Sequence, residues 1–311
     1  MHNRKILVTG GTGFIGSNLA NTLAEDNDVI ALDNGYLGTP KNLDDAVEYV
    51  DASVLDDDLP TDVDVVFHLA ALSSYAMHED DPTKGVRVNV EGFVNTVEQA
   101  RNDGCDTVVY ATTSSIYGNR TEPSPETMDV TANTGYEASK LARERYAQYF
   151  HNHYDMSMAG MRFFSVYQGY GGAEAHKGEY ANLIAQFADD IASGDAPVIY
   201  GDGTQTRDFT HVDDVVRGLI AAAENQLQGI YNLGTGESYD LNTLVEKLNA
   251  ELGSDIEPEY IENPIPESIY VKDTMADTTK MYEATGWEPE ISFEDGLQRV
   301  CAQYQSSSAS H

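Results

Sequence analysis

The sequence has few cysteines and few basic residues, and both shortages exclude classes of protein. Of 311 residues only two are cysteine, Cys105 and Cys301, which does not support a disulfide framework. Neither cysteine lies in a CxxC pair, and we predict no metal site. Lys and Arg total 18 against 52 Asp and Glu, so the clustered cations that bind phosphates of nucleic acid are missing. We expect no nucleic-acid partner.

Long hydrophobic runs are also missing. No apolar stretch approaches the ~20 residues that a membrane helix needs. The first residues, "MHNRKILVTG", lead directly into a strand pattern and not into a signal-peptide pattern. We therefore predict no membrane association and a cytoplasmic location. Hydrophobic residues still make up 41% of the chain, enough for the core of one or two domains.

The net charge is −34, and the acidic residues are spread along the whole chain. A disordered acidic protein would lack the Val, Ile, Leu and Tyr that this sequence contains. The composition therefore indicates a folded protein with an acidic surface, as in a halophilic cytosol. Molar salt shortens the screening length to ~3 Å, which weakens the repulsion between surface charges.

The beginning of the chain has the parts of a dinucleotide-binding unit. A short apolar strand is followed by three glycines in GxxGxxG spacing, a helix pattern, and a second strand that ends in an acid. Glycines let the backbone approach a pyrophosphate at a helix N-terminus, and the acid can hold ribose hydroxyls. An acid also repels a 2′-phosphate, and no Arg follows in "NGYLG", so the pattern predicts NAD rather than NADP. The residues are Gly10, Gly13, Gly16 and Asp33.

Strand and helix patterns continue to alternate after Asp33. Apolar runs at 64–71, 106–115 and 158–167 indicate buried parallel strands, and a helix pattern extends from about 88 to 101. This alternation predicts an α/β fold with a doubly wound parallel sheet, the Rossmann arrangement. Ligands bind such sheets at the carboxyl ends of the strands, where Thr112, Thr113 and Ser114 lie.

The stretch "TGYEASK" at 134–140 places a phenol and an ammonium four residues apart. On a helix, Tyr136 and Lys140 would rise from the same face, one turn apart. Such a pair suggests a base with its activator, although the spacing alone is equally consistent with a surface pair.

Several motifs occur in one fixed order, and together they resemble a known family. The chain resembles the extended short-chain dehydrogenases/reductases, specifically their NAD-dependent nucleotide-sugar epimerases and dehydratases. Details are similar to archaeal sugar epimerases, and "HKGEYANLIAQF" also resembles heptose 6-epimerases. The motifs are TGGTGFIG, HLAA at 68–71, TTSSIYG at 112–118, YEASK at 136–140, RFFSVY at 162–167, YGDGTQTRDFTHVDDVVRG at 200–218 and YNLGTGES at 231–238.

The resemblance implies a catalytic set and a domain division. Tyr136 would be the base, Lys140 would lower its pKa together with the oxidised nicotinamide, and Thr113 would orient the sugar. Residues 1–165 would form the NAD-binding Rossmann domain. Residues 166–311 would form a smaller substrate-binding domain, with the segment near 207–222 returning to the main sheet.

The resemblance also implies which residues bind the two ligands. For NAD they are Gly10, Gly13, Phe14, Ile15, Gly16, Asp33, Asn34, Ser53, Val54, Leu69, Ala70, Ala71, Tyr136 and Lys140. For a nucleotide-diphosphate sugar they are Ser73, Thr113, Ser114, Tyr136, Ser165, Tyr200, Arg207 and Tyr270. Arg207 would bind the diphosphate and Tyr200 would lie near the base, although Tyr200 is equally consistent with a core aromatic at a strand end.

The sequence departs from the family at several of these positions. Ser165 stands where Asn is frequent, Gln168 interrupts the usual VYGP, and Ser53 replaces an Asp that contacts adenine. A second phosphate-binding Arg is absent from "PIPESIYVKDTMAD", where Lys272 or Tyr270 would have to substitute. These departures leave the sugar and the nucleotide open.

The residues after Thr113 separate the possible reactions. Family 4,6-dehydratases carry an Asp–Glu pair there, whereas this chain has Ser114 and Ser115, and the Glu of sugar decarboxylases is also absent. We therefore expect an isomerase that epimerises a nucleotide sugar, at C4, through a transient ketone. A dehydratase and a non-catalytic NAD-binding protein stay as alternatives. In relatives, helices equivalent to 89–101 and 137–152 form a dimer contact, which implies a homodimer.

Overall fold

A seven-stranded parallel sheet forms the centre of the computed structural model, which describes residues 1–305. In chain order the strands of the described chain are β1 (Lys5–Thr9), β2 (Asp28–Asp33), β3 (Glu48–Asp51), β4 (Val65–His68), β5 (Thr107–Thr113), β6 (Ser157–Phe163), β7 (Val166–Tyr167), β8 (Val198–Tyr200), β9 (Thr206–Arg207), β10 (Thr210–His211), β11 (Gly229–Leu233), β12 (Tyr239–Asp240) and β13 (Glu259–Ile261).

Ten α-helices connect or follow these strands within the described residues. They are α1 (Phe14–Ala24), α2 (Tyr75–Asp80), α3 (Pro82–Val86), α4 (Gly92–Asn102), α5 (Gly135–Tyr154), α6 (Leu183–Ser193), α7 (Val212–Glu224), α8 (Leu241–Leu252), α9 (Thr279–Thr285) and α10 (Phe293–Gln305). A π-helical turn, Arg87–Glu91, joins α3 to α4, and a 3₁₀ segment, Ala175–Tyr180, precedes α6. No helix in this part of the chain is long and apolar enough to cross a membrane.

The order of the main sheet is β11-β6-β5-β4-β1-β2-β3, and every neighbouring pair is parallel. Strand β1 pairs with β2 on one side and with β4 on the other, so the chain reverses its direction of travel across the sheet at β1. The loops after β1 and β4 therefore diverge and leave a crevice at the carboxyl ends of the strands. The predicted doubly wound fold is confirmed.

Apolar side chains cover both faces of the sheet because successive strand residues point to opposite sides. Ile6 and Val8 of β1 pack on the side of α1 and α7, whereas Leu7 packs on the side of α4 and α5. A separate apolar cluster lies between α6, α8 and α10 and includes Ile184, Leu244 and Val300. This second core supports a smaller domain, but the boundary at residue 165 stays a prediction.

The structure corrects one detail of the predicted sheet. The run 158–167 is not one strand, because β6 ends at Phe163 and β7 belongs to a two-stranded pair with β10. Ser165 has φ 27°, outside the extended region, and this residue breaks the strand. The segment near 207–222 contains helix α7, whose apolar side chains pack on one face of the main sheet. The seventh strand is supplied further along by β11.

Candidate active site

A cavity of about 540 Å³ lies at the carboxyl ends of β1, β2, β4, β5 and β6. It contains every residue predicted to bind NAD and all three predicted catalytic residues, together with Ser73 and Ser165 from the predicted substrate set. Residues separated by more than a hundred positions in the sequence therefore meet in one crevice, as parallel strands with a common carboxyl edge require.

One end of the cavity is a glycine cradle formed by the loop between β1 and α1. Gly10 has φ 68°, and a Cβ there would lie 2.7 Å from the backbone nitrogen of Ala70. A Cβ on Gly16 would lie 2.1 Å from the carbonyl oxygen of Gly10. Neither position can accept a side chain without movement of the backbone. The N-terminus of α1, at Gly13, has no side-chain cap and no acid in its first turn, so its N–H groups suit a pyrophosphate.

Asp33 is held in place at the end of β2. Its carboxylate accepts hydrogen bonds from the backbone N–H of Thr12, at 3.2 Å, and of Gly35, at 2.9 Å. The side chain lines the cavity and is its only carboxylate among the described residues. An anion fixed in this way suits a ribose diol and disfavours a 2′-phosphate. The cradle and Asp33 together fit NAD.

The opposite wall carries Tyr136 and Lys140 on the first turns of α5. This helix is capped by Thr134, whose hydroxyl accepts a hydrogen bond from the N–H of Glu137, while the Glu137 carboxylate accepts from the N–H of Asn133. The cap fixes where the helix begins and therefore which face carries the pair. The Nζ of Lys140 lies 5.7 Å from the centroid of the Tyr136 ring and 3.4 Å from the Ala111 carbonyl oxygen.

Thr113 is the last residue of β5 and faces the same cavity. Its hydroxyl lies 3.0 Å from the hydroxyl of Ser115 and accepts a hydrogen bond from the Ser115 N–H. Ser114 is buried but does not line the cavity. The wall around Thr113 thus offers hydroxyl groups and no acid.

Burial shifts the pKa values of both members of the pair. Burial raises the pKa of Tyr136 above its ordinary value, and the Thr113 hydroxyl and the Arg143 charge offset part of the rise. Burial, followed by the Arg143 charge, lowers the pKa of Lys140 well below its ordinary value. The predicted effect of Lys140 on the pKa of the phenol stays a prediction. Arg143, which the sequence analysis did not select, is a second cation whose charge favours the phenolate.

Several residues that line the cavity were not selected by the sequence analysis. The Nζ of Lys84 lies 3.7 Å from the centroid of the Tyr36 ring, and the Nζ of Lys177 lies 5.5 Å from that of Phe14. His176, Tyr180 and Asn182 also line the cavity. Lysine is scarce in this acidic chain, so each lysine is a candidate functional residue. That scarcity is the sequence signal that could have identified Lys84 and Lys177.

The segment that carries Lys177 is fixed by one buried acid. Glu174 accepts hydrogen bonds from the backbone N–H groups of Gln168, Gly169 and Asn182, at 2.7, 2.8 and 2.9 Å. Gln168 in turn exchanges two side-chain hydrogen bonds with Asn18 of α1. The departure from VYGP at Gln168 therefore anchors this loop to the helix of the glycine cradle.

Four predicted substrate residues do not line the cavity: Ser114, described above, and Tyr200, Arg207 and Tyr270. The Arg207 guanidinium donates to the carbonyl oxygens of Thr206 and Lys272, at 2.9 and 2.5 Å, and lies 5.8 Å from the centroid of the Tyr270 ring. Tyr200 is 38% exposed, so the alternative of a core aromatic is wrong. The predicted contacts of these residues with a nucleotide stay predictions. No cluster of three or more His, Cys, Asp or Glu side chains suited to a metal ion occurs in residues 1–305.

Comparison with known proteins gives the family. Residues 6–234 match the NAD dependent epimerase/dehydratase family. The chain belongs to this family. A putative UDP-glucose 4-epimerase from Methanocaldococcus jannaschii is 34% identical over 309 residues, which are 95% of this chain and 96% of the relative. The UDP-glucose 4-epimerase of Mycolicibacterium smegmatis is 33% identical over 318 residues, 98% of this chain and 99% of the relative.

Solved structures show the same architecture. The UDP-N-acetylglucosamine 4-epimerase from Methanobrevibacter ruminantium M1, solved in complex with UDP-N-acetylmuramic acid, has a TM-score of 0.90 and 29% sequence identity, over 99% of this chain and 100% of that one. The predicted family resemblance is confirmed, and with it the NAD cofactor.

Proposed function

We propose that this protein is an isomerase that epimerises a UDP-sugar at C4. The observation that supports it most is the shared cavity, in which Thr113, Tyr136 and Lys140 face the glycine cradle. Within the described lining, the only carboxylate is Asp33, at the end of β2. A dehydratase needs an acid–base pair beside the sugar, and this wall provides none.

The roles of the residues follow from their chemistry. Tyr136 would take the proton of the sugar O4 hydroxyl and later return it, while Thr113 would hold that oxygen by a hydrogen bond. When bound, NAD supplies the hydride acceptor and donor at C4. A phenol with an ordinary pKa of ~10 needs roughly 4 kcal/mol of stabilisation of its anion to act near pH 7. Nearby positive charge is the means available in this cavity.

The relatives and the charges of the cavity indicate the class of ligand to which the sugar belongs. The relatives described above are named for UDP-glucose and for UDP-N-acetylglucosamine, and this chain departs from the family at Ser165 and Gln168. Lys84, Lys140 and Lys177 line the cavity of a chain with net charge −34, which favours an anionic ligand there. We therefore propose the nucleotide-sugar class and leave the sugar to experiment.

The test is a substrate panel with a matched variant. Incubation with NAD and UDP-glucose, UDP-N-acetylglucosamine, UDP-glucuronate and their 4-epimers should interconvert at least one pair without net NADH. Tyr136→Phe should lower kcat by a factor of about 10²–10⁴, because it removes the general base, and should leave NAD binding intact. Tyr282→Phe, at an exposed tyrosine far along the chain, is the control and should keep full activity.

Other outcomes would redirect the assignment. A 4-keto-6-deoxy product would identify a dehydratase. NAD binding with no affinity for any nucleotide sugar would identify a non-catalytic binding protein. Nearly full activity in Tyr136→Phe would contradict the proposed base.

We also propose a homodimer formed through α4 and α5. Tyr146 and Tyr149 on α5 are 43% and 44% exposed, and the Arg101 guanidinium at the end of α4 lies 4.3 Å from the centroid of the Tyr154 ring. Exposed aromatics of this kind are enriched at protein interfaces. Light scattering in solution should give twice the chain mass of 34.0 kDa. A mass equal to one chain would contradict the proposal.

A salty cytoplasm is the proposed setting. NAD is an intracellular cofactor, both cysteines are free thiols, and the net charge of −34 opposes folding through self-repulsion. Lowering the ionic strength from ~1 M to ~0.01 M lengthens the screening distance from about 3 Å to about 30 Å, so repulsion acts across a whole domain.

The thermal midpoint should therefore rise steeply with KCl up to molar concentration. The NAD-bound protein should tolerate low salt better, because a ligand that prefers the folded state stabilises it by mass action. A melting series in KCl, with and without NAD, measures both effects. A midpoint that stays flat across the series would show that the acidic surface is not an adaptation to salt.

A further inference from the structure

His78 is a buried histidine on α2 that packs against the ring of the proposed base. Its side chain is 1% exposed. The centroid of its imidazole lies 5.8 Å from the centroid of the Tyr136 ring, and the two planes meet at 69°, which is an edge-to-face contact. Tyr136 lines the cavity and His78 does not. The imidazole is therefore part of the protein support of the phenol and not part of the ligand-binding surface.

The imidazole is held in one orientation by Asn89 of the π-helical turn. The Oδ1 atom of Asn89 accepts a hydrogen bond from the Leu72 N–H, at 2.8 Å, so the other polar atom of this side chain is the amide nitrogen. That Nδ2 lies 2.9 Å from the Nε2 atom of His78, which is then the acceptor. The proton of the neutral imidazole is on Nδ1, which has no hydrogen-bond partner within residues 1–305. Burial also lowers the pKa of His78, which agrees with a neutral ring.

The same amide group joins His78 to α5 and to the loop after β4. Asn89 Nδ2 lies 3.0 Å from the hydroxyl oxygen of Ser139, and this hydroxyl donates to the carbonyl oxygen of Tyr136 at 2.7 Å. It also lies 3.1 Å from the carbonyl oxygen of Leu72. Two amide hydrogens thus serve three acceptors, so Asn89 would stay satisfied without the imidazole. The contact that only His78 provides is the one with the Tyr136 ring.

Gly85 on α3 makes room for this imidazole. Gly85 is buried, and a Cβ at this position would lie 2.3 Å from Nδ1 and 2.5 Å from Cε1 of His78. These distances are too short for any real contact, so the imidazole would have to move. Gly85 lies within a helix and its φ is not positive, and at such positions alanine is favoured over glycine. The histidine, and not the backbone, therefore requires glycine here.

We propose that His78 is a positioning residue for Tyr136: its imidazole, oriented by Asn89 and accommodated by Gly85, keeps the phenol ring from tilting away from the sugar hydroxyl. The hydroxyl of a tyrosine is at the far end of the side chain, so a small tilt of the ring displaces that oxygen most. The catalytic meaning of this contact rests on the proposed function. The confinement of the ring does not.

The first test measures turnover of the nucleotide sugar in variants of His78 and Gly85. His78→Ala removes the contact and should lower kcat by about 10–100-fold, because the base is less well placed. Gly85→Ala should lower kcat by a similar factor although alanine is the better helix former, because its methyl group displaces the imidazole. The KM for the sugar and the Kd for NAD should stay nearly unchanged in both variants. Thr83→Ala, at an exposed residue of the same helix, is the control and should keep full activity.

The double variant His78→Ala/Gly85→Ala shows whether the two residues act through one contact. It should be no slower than His78→Ala alone, because the added methyl group then meets no imidazole. Additive losses in the double variant, or full kcat in Gly85→Ala, would overturn the inference. A merely structural histidine would lower the melting temperature and leave kcat unchanged below it. If His78→Ala does not fold, the comparison of Gly85→Ala with Thr83→Ala decides by the same criterion.

A second measurement needs no sugar, so its failure is distinguishable from failure of the proposed function. The NAD-bound protein is labelled with 3-fluorotyrosine, and the fluorine NMR signals of Tyr136 are identified by their loss in Tyr136→Phe. A ring that the imidazole confines flips slowly and should give two signals, one for each side of the ring that carries the fluorine. His78→Ala should give one averaged signal. One averaged signal in the unaltered protein, or two in His78→Ala, would contradict the inference whether or not any nucleotide sugar is turned over.

Discussion

The pairing of β1 with β2 on one side and β4 on the other is the constraint on which the rest of the site depends. Parallel ladders force all carboxyl ends to one edge, and the reversal at β1 opens a crevice at that edge. Gly10, Leu69 and Thr113 follow or end three different strands, and each reaches the crevice for this reason alone. A cofactor site and a catalytic wall thereby come together without any long loop to hold them.

The catalytic wall depends on a second constraint, the position of α5 against the sheet. Its cap at Thr134 sets the start of the helix, and the buried contacts of Lys140 and Arg143 with backbone carbonyls set its depth. The burial that fixes the positions of these side chains also destabilises their charged forms. For this reason the pKa of Tyr136 is raised. The Thr113 hydroxyl and then the Arg143 charge offset part of that rise.

Local patterns were sufficient to predict the fold class and most of the cavity. The glycine spacing, the acid after β2 and the four-residue spacing of Tyr136 and Lys140 are short-range features, and each appears where the fold requires it. The break at Ser165 was not predictable, because the residues around it are apolar and strand-like and only tertiary contacts impose its φ of 27°. The same holds for β11, whose place beside β6 depends on a crossover.

The charge states were the least predictable part of the site. A sequence shows that Lys140 lies one helical turn from Tyr136, but it does not show that burial and Arg143 lower the pKa of that lysine. Neither does it show that Lys84 and Lys177, from distant segments, line the same cavity. These properties depend on solvent exclusion and on side-chain direction, which are set only when the helices pack.

The central claim is that the sugar is transiently oxidised at C4 and that the same hydride is returned to it, so that NAD is regenerated in each cycle. The most direct measurement uses the nucleotide sugar that the protein turns over, deuterated at C4, with the product analysed by NMR in ordinary water. Because the hydrogen at C4 is removed and returned inside the site, the account predicts that the 4-epimer keeps its deuterium. Replacement of that deuterium by hydrogen from water would show inversion by proton exchange and would contradict the account.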